Sequence, residues 1–149
     1  MRTLHDPGLR AVERVRGVRE QDSRLGLQRA LRDLAEREAA LDRLEESIRT
    51  FGGAASGDMA QFAAIRQSLL ELRHAVAAAR DAVGAARSVA VDAHAHWSTD
   101  KSRLGAVEGL LERRAEERAV EAGRTEAKQL DDIAGQGWLR RARAEAEEG

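Results

Sequence analysis

The chain has 149 residues, among them 29 alanines and 23 arginines but only four aromatic residues, one proline and no cysteine. Bulky apolar side chains are too few for a layered core, and β-branched and aromatic residues are too sparse for a sandwich or a doubly wound sheet. A formal charge of −1 leaves no global field to attract nucleic acid, and the absence of cysteine removes disulfides, thiolate chemistry and thiolate zinc sites together. What remains is alanine-rich, charge-rich and helix-favouring, the composition of an extended helical protein.

The first start signal is Asp6-Pro7, an aspartate placed to cap free backbone N–H groups ahead of a proline that loses no hydrogen bond at the first helical position. No strong breaker follows before Phe51, so a first helix is expected over about 7–51. Gly52-Gly53-Ala54-Ala55-Ser56-Gly57 puts three glycines into six residues and reads as a turn over 52–57. Asp58 then offers a second N-cap, with Gln61 three residues on as a variant capping box, and the pattern predicts a second helix over about 58–139. Gly84, Gly105, Gly109 and Gly123 interrupt it singly, each costing about 1 kcal/mol against alanine without stopping a packed helix.

Seven-residue periodicity sets the architecture. Stepping from Phe62 gives Leu69, Val76, Val83, Ala90, Trp97, Leu104 and Leu111, with Ile65, Leu72, Ala79, Ala86, Ala93, Asp100, Val107 and Arg114 three places further on. In the first helix the same step gives Leu27, Leu34, Leu41 and Ile48 beside Ala30, Arg37, Leu44 and Phe51. Strict heptads of this kind mark a coiled-coil seam. Upstream, Val12, Val15 and Val18 form an apolar set in another phase, so the seam is expected to stutter near Leu25.

A short turn makes the two seams antiparallel neighbours. Folding about that turn sets Ile48 beside Phe62, Leu41 beside Leu69, Leu34 beside Val76 and Leu27 beside Val83, pairs whose numbers sum to 110. On that register residue 2 faces residue 108, and the second helix outruns the first by about forty residues, roughly 60 Å. The expected fold is therefore all-α, a single domain over 1–149 built as a long antiparallel two-helix coiled-coil hairpin with an overhanging C-terminal helix. Val120, Leu130, Ile133, Trp138 and Leu139 lie on the overhang. Trp138 is either a partner contact or part of a frayed end.

Chemistry is scarce. His94-Ala95-His96 sends its rings to opposite flanks of a helix, and Asp92 with His96 is a lone i,i+4 pair better read as a solvated flank than as a metal site. There is no phosphate loop, nucleophile elbow, HExxH or triad, and a two-helix hairpin has no concave pocket to tune a pKa. The sequence points to a non-enzymatic interaction protein with no cofactor, no metal, no nucleic acid and no small-molecule substrate. Met1-Arg2 runs into Asp6-Pro7 without an apolar leader core, and no stretch of about 18 apolar residues could span a bilayer, so a cytoplasmic location is expected.

Several segments resemble the flagellar export protein FliJ family. They are His96-Trp97 followed by Lys101, Leu104 and Val107, then Leu110-Leu111-Glu112-Arg113-Arg114, and later Lys128-Gln129-Leu130-Asp131-Asp132-Ile133-Ala134. The start, with Leu9, Val12, Val15, Arg16 and Arg19, and Leu34-Ala35-Glu36-Arg37-Glu38 also fit the family's first helix.

The resemblance implies a component of the type III export apparatus that resembles the γ subunit of rotary ATPases. Such a protein binds the hexameric export ATPase FliI and favours its ring assembly, contacts the export gate membrane protein FlhA, and escorts export chaperones. It would act in the cytoplasm, peripherally associated with the inner membrane at the flagellar base. The resemblance also implies contact positions. Leu72 matches a gate-contacting leucine, with Ala75 after it in the pattern; Leu44 matches a family leucine, and Phe51 falls at an aromatic position. Ser68 departs from an expected aromatic, with Leu69 adjoining it, and Ser47 departs from another. Trp97 and Trp138 complete the candidate partner-binding set. Leu44, Phe51, Leu69 and Leu72 also lie on the seam, where core packing alone accounts for them. The alternatives are a self-associating structural coiled coil, or a peripheral-stalk-like subunit of another ATPase or secretion system.

Overall fold

A computed structural model describes residues 5–51 and 57–149. It is all-α, with two long helices packed against each other, α1 (Pro7–Phe51) and α2 (Met59–Glu147), and no strand among the described residues. The turn expected at 52–57 lies, apart from Gly57, outside the described residues. α2 starts as its cap signal requires: Asp58 Oδ1 accepts from the Gln61 N–H at 2.9 Å and the Asp58 carbonyl accepts from the Phe62 N–H at 3.0 Å. It runs past 139 to Glu147 because Arg140-Arg141-Ala142-Arg143-Ala144-Glu145-Ala146-Glu147 is composed of strong helix formers with no breaker.

The chain divides into two compact units, Arg14–Leu104 and Met1–Glu13 with Gly105–Gly149. In the first, α1 and α2 run antiparallel, since Glu20 meets Trp97 while Glu45 meets Arg80. The seam of α2 follows the heptad step from Leu69: Val76, Val83, Ala86 and Ala90 are buried, and Leu69, Leu72, Ala79, Ala93 and Trp97 are half-buried. α1 presents Leu27 and Ala30 as buried residues and Leu34, Leu41, Leu44, Ile48 and Phe51 as half-buried ones. A two-helix interface covers one stripe of each helix, which is why no side chain among the described residues is wholly enclosed and why alanine, permitting close approach, fills much of it.

Two expectations about this seam are corrected. The register differs from the pairing that sums to 110: Glu20 bonds Trp97, Glu38 meets Arg87 and Glu45 meets Arg80. Leu27 and Leu34 share a groove with Ala90 and Val91 rather than facing Val83 and Val76. The observed pairs sum to 117 or 125, displaced by about one to two heptads from the pairing expected for a tight turn. A heptad seam presents the same face after every seven residues, so its phase fixes which side packs but not how far the helices slide. As a result every residue from Met59 to Ser68 is exposed, and Phe62, expected against Ile48, is 62% exposed.

The expected stutter near Leu25 is also absent. Stepping back from Leu27 the inward positions are Glu20 and then, in the same phase, Arg16 and Ser23 as companions; Glu20 and Ser23 are buried, whereas Val15 and Val18 are 54% and 58% exposed. The seam keeps its phase and becomes polar, and the valines turn outward.

In the second unit, Leu9 on α1 and Val107 and Leu110 on α2 are half-buried and Leu111 is buried. Asp6, which the 110 sum sets opposite residue 104, hydrogen-bonds Arg114 and Arg118, ten and fourteen residues further along α2. Beyond Arg118 the helix continues for 29 residues, 119 to 147, fewer than the forty expected. Every residue from Ala119 to Gln136 is exposed.

Candidate functional site

The most organised group of polar side chains sits in the Arg14–Leu104 unit where the α1 seam loses its leucines. Trp97 occupies a heptad position of α2 and donates its indole N–H to Glu20 Oε1 at 2.9 Å. Arg24, one turn on from Glu20, donates from Nε and Nη2 to the same carboxylate. The Lys101 ammonium lies 4.9 Å from the indole centroid and the His94 ring meets the indole edge-on at 5.9 Å. Arg24 first and Trp97 second hold the Glu20 carboxyl below its usual range. Ser23 satisfies its hydroxyl internally, donating to the Arg19 and Glu20 carbonyls, and Asp100 is buried with His96 Nε2 3.5 Å from its Oδ2. Arg16 Nη1 is buried with no hydrogen-bond partner among the described residues.

This layer was not anticipated from the sequence, where Trp97 stood as an apolar seam residue and Glu20 drew no attention. The available signal was simple: seven residues before Leu27 is Glu20, and a charge at that position needs a donor across the seam.

A second polar contact closes the other unit. Asp6 was expected to cap α1 through its side chain; instead its backbone carbonyl accepts from the Arg10 N–H at 3.0 Å. Its carboxylate accepts from Arg114 Nη1 at 2.8 Å and Arg118 Nη1 at 2.7 Å. Asp6 carries φ 58°, the left-handed region that non-glycine residues enter at a cost. The two arginines, Arg118 the stronger, lower the Asp6 pKa.

The candidate partner-binding residues fall into distinct settings. Leu44, Phe51, Leu69, Leu72 and Ala75 are half-buried in the Arg14–Leu104 unit, on or beside the seam, and Ser68 is exposed there. Trp97 is engaged with Glu20. Trp138 belongs to the other unit and is 63% exposed, together with Val120, Leu130 and Ile133 at 54%, 67% and 62%. The pairing puts Phe51 near the level of His74, so Phe51, Leu72 and Ala75 occupy neighbouring turns. His96 is turned to Asp100, and no group of three or more metal-ligating residues occurs among the described residues. No described helix is long and apolar enough to cross a membrane.

The surface features are thus contact stripes on helices: half-buried apolar residues at one end of the seam, an exposed apolar series late in α2, and a polar layer around Trp97. No curated protein and no solved structure matches the chain. The family model for the flagellar FliJ protein does, over residues 5–143, which takes in both helices and both units. By that match, extending over nearly its whole length, the chain belongs to the flagellar FliJ family.

Proposed function

We propose that this protein is a non-enzymatic stalk and adaptor of the flagellar export apparatus, which binds and stimulates a FliI-like hexameric export ATPase and links it to a FlhA-like gate at the inner membrane. Family membership gives the flagellar export role. The observation that supports the finer reading is the C-terminal part of α2, where Ala119–Gln136 are all exposed and Val120, Leu130 and Ile133 stand in solvent. A helix that forms without cover from described residues, yet carries large apolar side chains, is suited to enter a partner and bury them there. Half-buried Leu72, Ala75 and Phe51, with exposed Ser68, supply the second contact region, assigned to the gate. Export chaperones are further partners under this reading.

The test is hydrolysis by the cognate export ATPase with and without the protein, together with its sizing profile. Stimulation and a shift to hexamers are expected, both abolished by Leu130→Glu with Ile133→Glu. Unchanged hydrolysis and no complex would overturn the reading. The same exposed stripe suits self-association, so sedimentation over a concentration series belongs beside it: a concentration-independent monomer excludes a structural coiled coil built from several copies.

A further inference from the structure

The segment of α1 around Glu20 has its polarity inverted. Its inward positions are Arg16, Glu20 and Ser23, and its outward positions are Val15, Val18 and Leu25, which are 54%, 58% and 43% exposed. Val18 and Leu25 each precede a seam residue, Glu20 and Leu27, by two positions, about 200° round the helix. They therefore lie on the side away from α2, with Val15 one turn before Val18. Isolated exposed valines are ordinary on any protein surface. Here they form one stripe, and the helix is held in the rotation that exposes them: turning α1 to bury the valines would pull Glu20 from Trp97 Nε1, 2.9 Å away.

The charge around the stripe is predominantly basic. Arg14, Arg29 and Arg32 are exposed along this stretch, none in an ion pair among the described residues, against the single exposed acid Asp22 between Val18 and Leu25; Arg19, also exposed, borders the groove toward α2. Glu20, the other carboxylate between Arg14 and Arg32, is buried and already matched to Arg24 and Trp97. An apolar stripe of about three turns flanked by free guanidinium groups is complementary to a helix with an apolar stripe and carboxylates beside it.

We propose that the outward face of α1 over Val15–Leu25 is a docking surface for an acidic amphipathic helix of a partner protein. Val15, Val18 and Leu25 supply the apolar contact and Arg14, Arg29 and Arg32 the charge. The Glu20–Trp97 hydrogen bond keeps the face presented. The proposal uses none of the residues on which the ATPase reading rests, so its test does not depend on that reading.

The probe is a synthetic amphipathic peptide with leucine at heptad a and d positions and glutamate on its flanks, titrated against the full chain by fluorescence anisotropy. Its twin has lysine for glutamate. The acidic peptide is expected to bind, more weakly as salt is raised, and the twin to bind at least about tenfold more weakly. Val18→Asp with Leu25→Asp, both solvent-facing and so compatible with an unchanged helical spectrum and melting midpoint, is expected to weaken binding about tenfold or more. Arg29→Glu with Arg32→Glu should reverse the preference toward the lysine twin. Equal binding of the two peptides, or unaltered binding by the Val18/Leu25 variant, overturns the proposal. So does binding to phosphatidylglycerol vesicles without binding to the peptide, or self-association that the same variant removes while the peptide fails to bind.

Discussion

Trp97 and Glu20, 77 residues apart in the chain, are joined across the seam by an indole N–H donated to a carboxylate oxygen at 2.9 Å. A seam position that would ordinarily carry leucine thereby holds a charge that is 7% exposed. Removing the donor leaves that carboxylate with only Arg24, so Trp97→Phe is expected to lower the melting midpoint, and Glu20→Leu added to it to restore much of the loss. A double-mutant cycle by thermal melts reads the coupling; strictly additive effects would show that the hydrogen bond is not what joins the two.

The same contact fixes a pH dependence. Arg24 and Trp97 hold the Glu20 pKa below its usual 4.5, so the folded state binds a proton here less readily than the unfolded chain. The stabilisation is complete above the unfolded value and is lost as pH falls through the lower folded value. Trp97→Phe removes one of the two causes, so its acid unfolding limb should move to higher pH than that of the parent. Melts between neutral and acidic pH decide it, and coincident limbs would count against the assignment.

Asp6 makes a comparable prediction in the other unit. Its carboxylate bridges Arg114 and Arg118 while its backbone sits at φ 58°, so the start of α1 is held by charge against an unfavourable backbone. Asp6→Asn keeps the backbone problem and loses the charge, and is expected to speed amide exchange over Pro7–Glu13 and leave it unchanged in the core of the Arg14–Leu104 unit. Asp6→Gly relieves the backbone and should fall between parent and Asn variant. Because the arginines lower the Asp6 pKa from 3.8, the protection should persist at pH 4 and weaken below it.

Packing predictions separate the two faces of α1. Leu27 is 9% exposed on the seam, and Leu27→Ala should cost about 2–3 kcal/mol in denaturant melts. Val18, 58% exposed on the opposite side, should cost less than about 0.5 kcal/mol as Val18→Ala. Comparable losses at both positions would mean that the stutter exists after all and that the valines pack.

These faces show what the sequence could and could not convey. The heptad phase of α2 was legible because Leu69 through Leu111 never break step, and the Asp58 cap because its donors lie within four residues. The polar stretch of α1 was missed because three valines make a louder pattern than Glu20 and Ser23, whose partners lie on the other helix. Asp6 read as an ordinary cap for the same reason: its arginines are more than a hundred residues away. The family was legible in the Trp97 to Arg114 stretch and the late Leu130 motif, within the range the family model matches. Leu72, Ala75 and Phe51, which we propose contact the gate, carry no local signature that separates such a role from seam packing.

Register is the remaining quantity that heptads leave open, and a crosslink measures it. Slides of whole heptads bury the same faces and differ only in which layers meet, so mutational scans of the seam cannot distinguish them. Leu27 and Ala90 line one groove, and no native cysteine interferes. Cysteines at Leu27 and Ala90 should therefore crosslink faster on mild oxidation than cysteines at Leu27 and Val83, read as mobility shifts on non-reducing gels, because the Val83 pair lies a further heptad apart, about 10 Å along the axis, and a disulfide tolerates a Cα separation of no more than about 7 Å. Phe62→Ala supplies an independent check without crosslinking: Phe62 is 62% exposed in the observed register, so its loss should cost under about 0.5 kcal/mol, whereas a phenylalanine packed on Ile48 would cost about 3 kcal/mol or more. Faster oxidation of the Val83 pair with a costly Phe62 truncation would place the helices at the shorter register and leave the first turns of α2 covered.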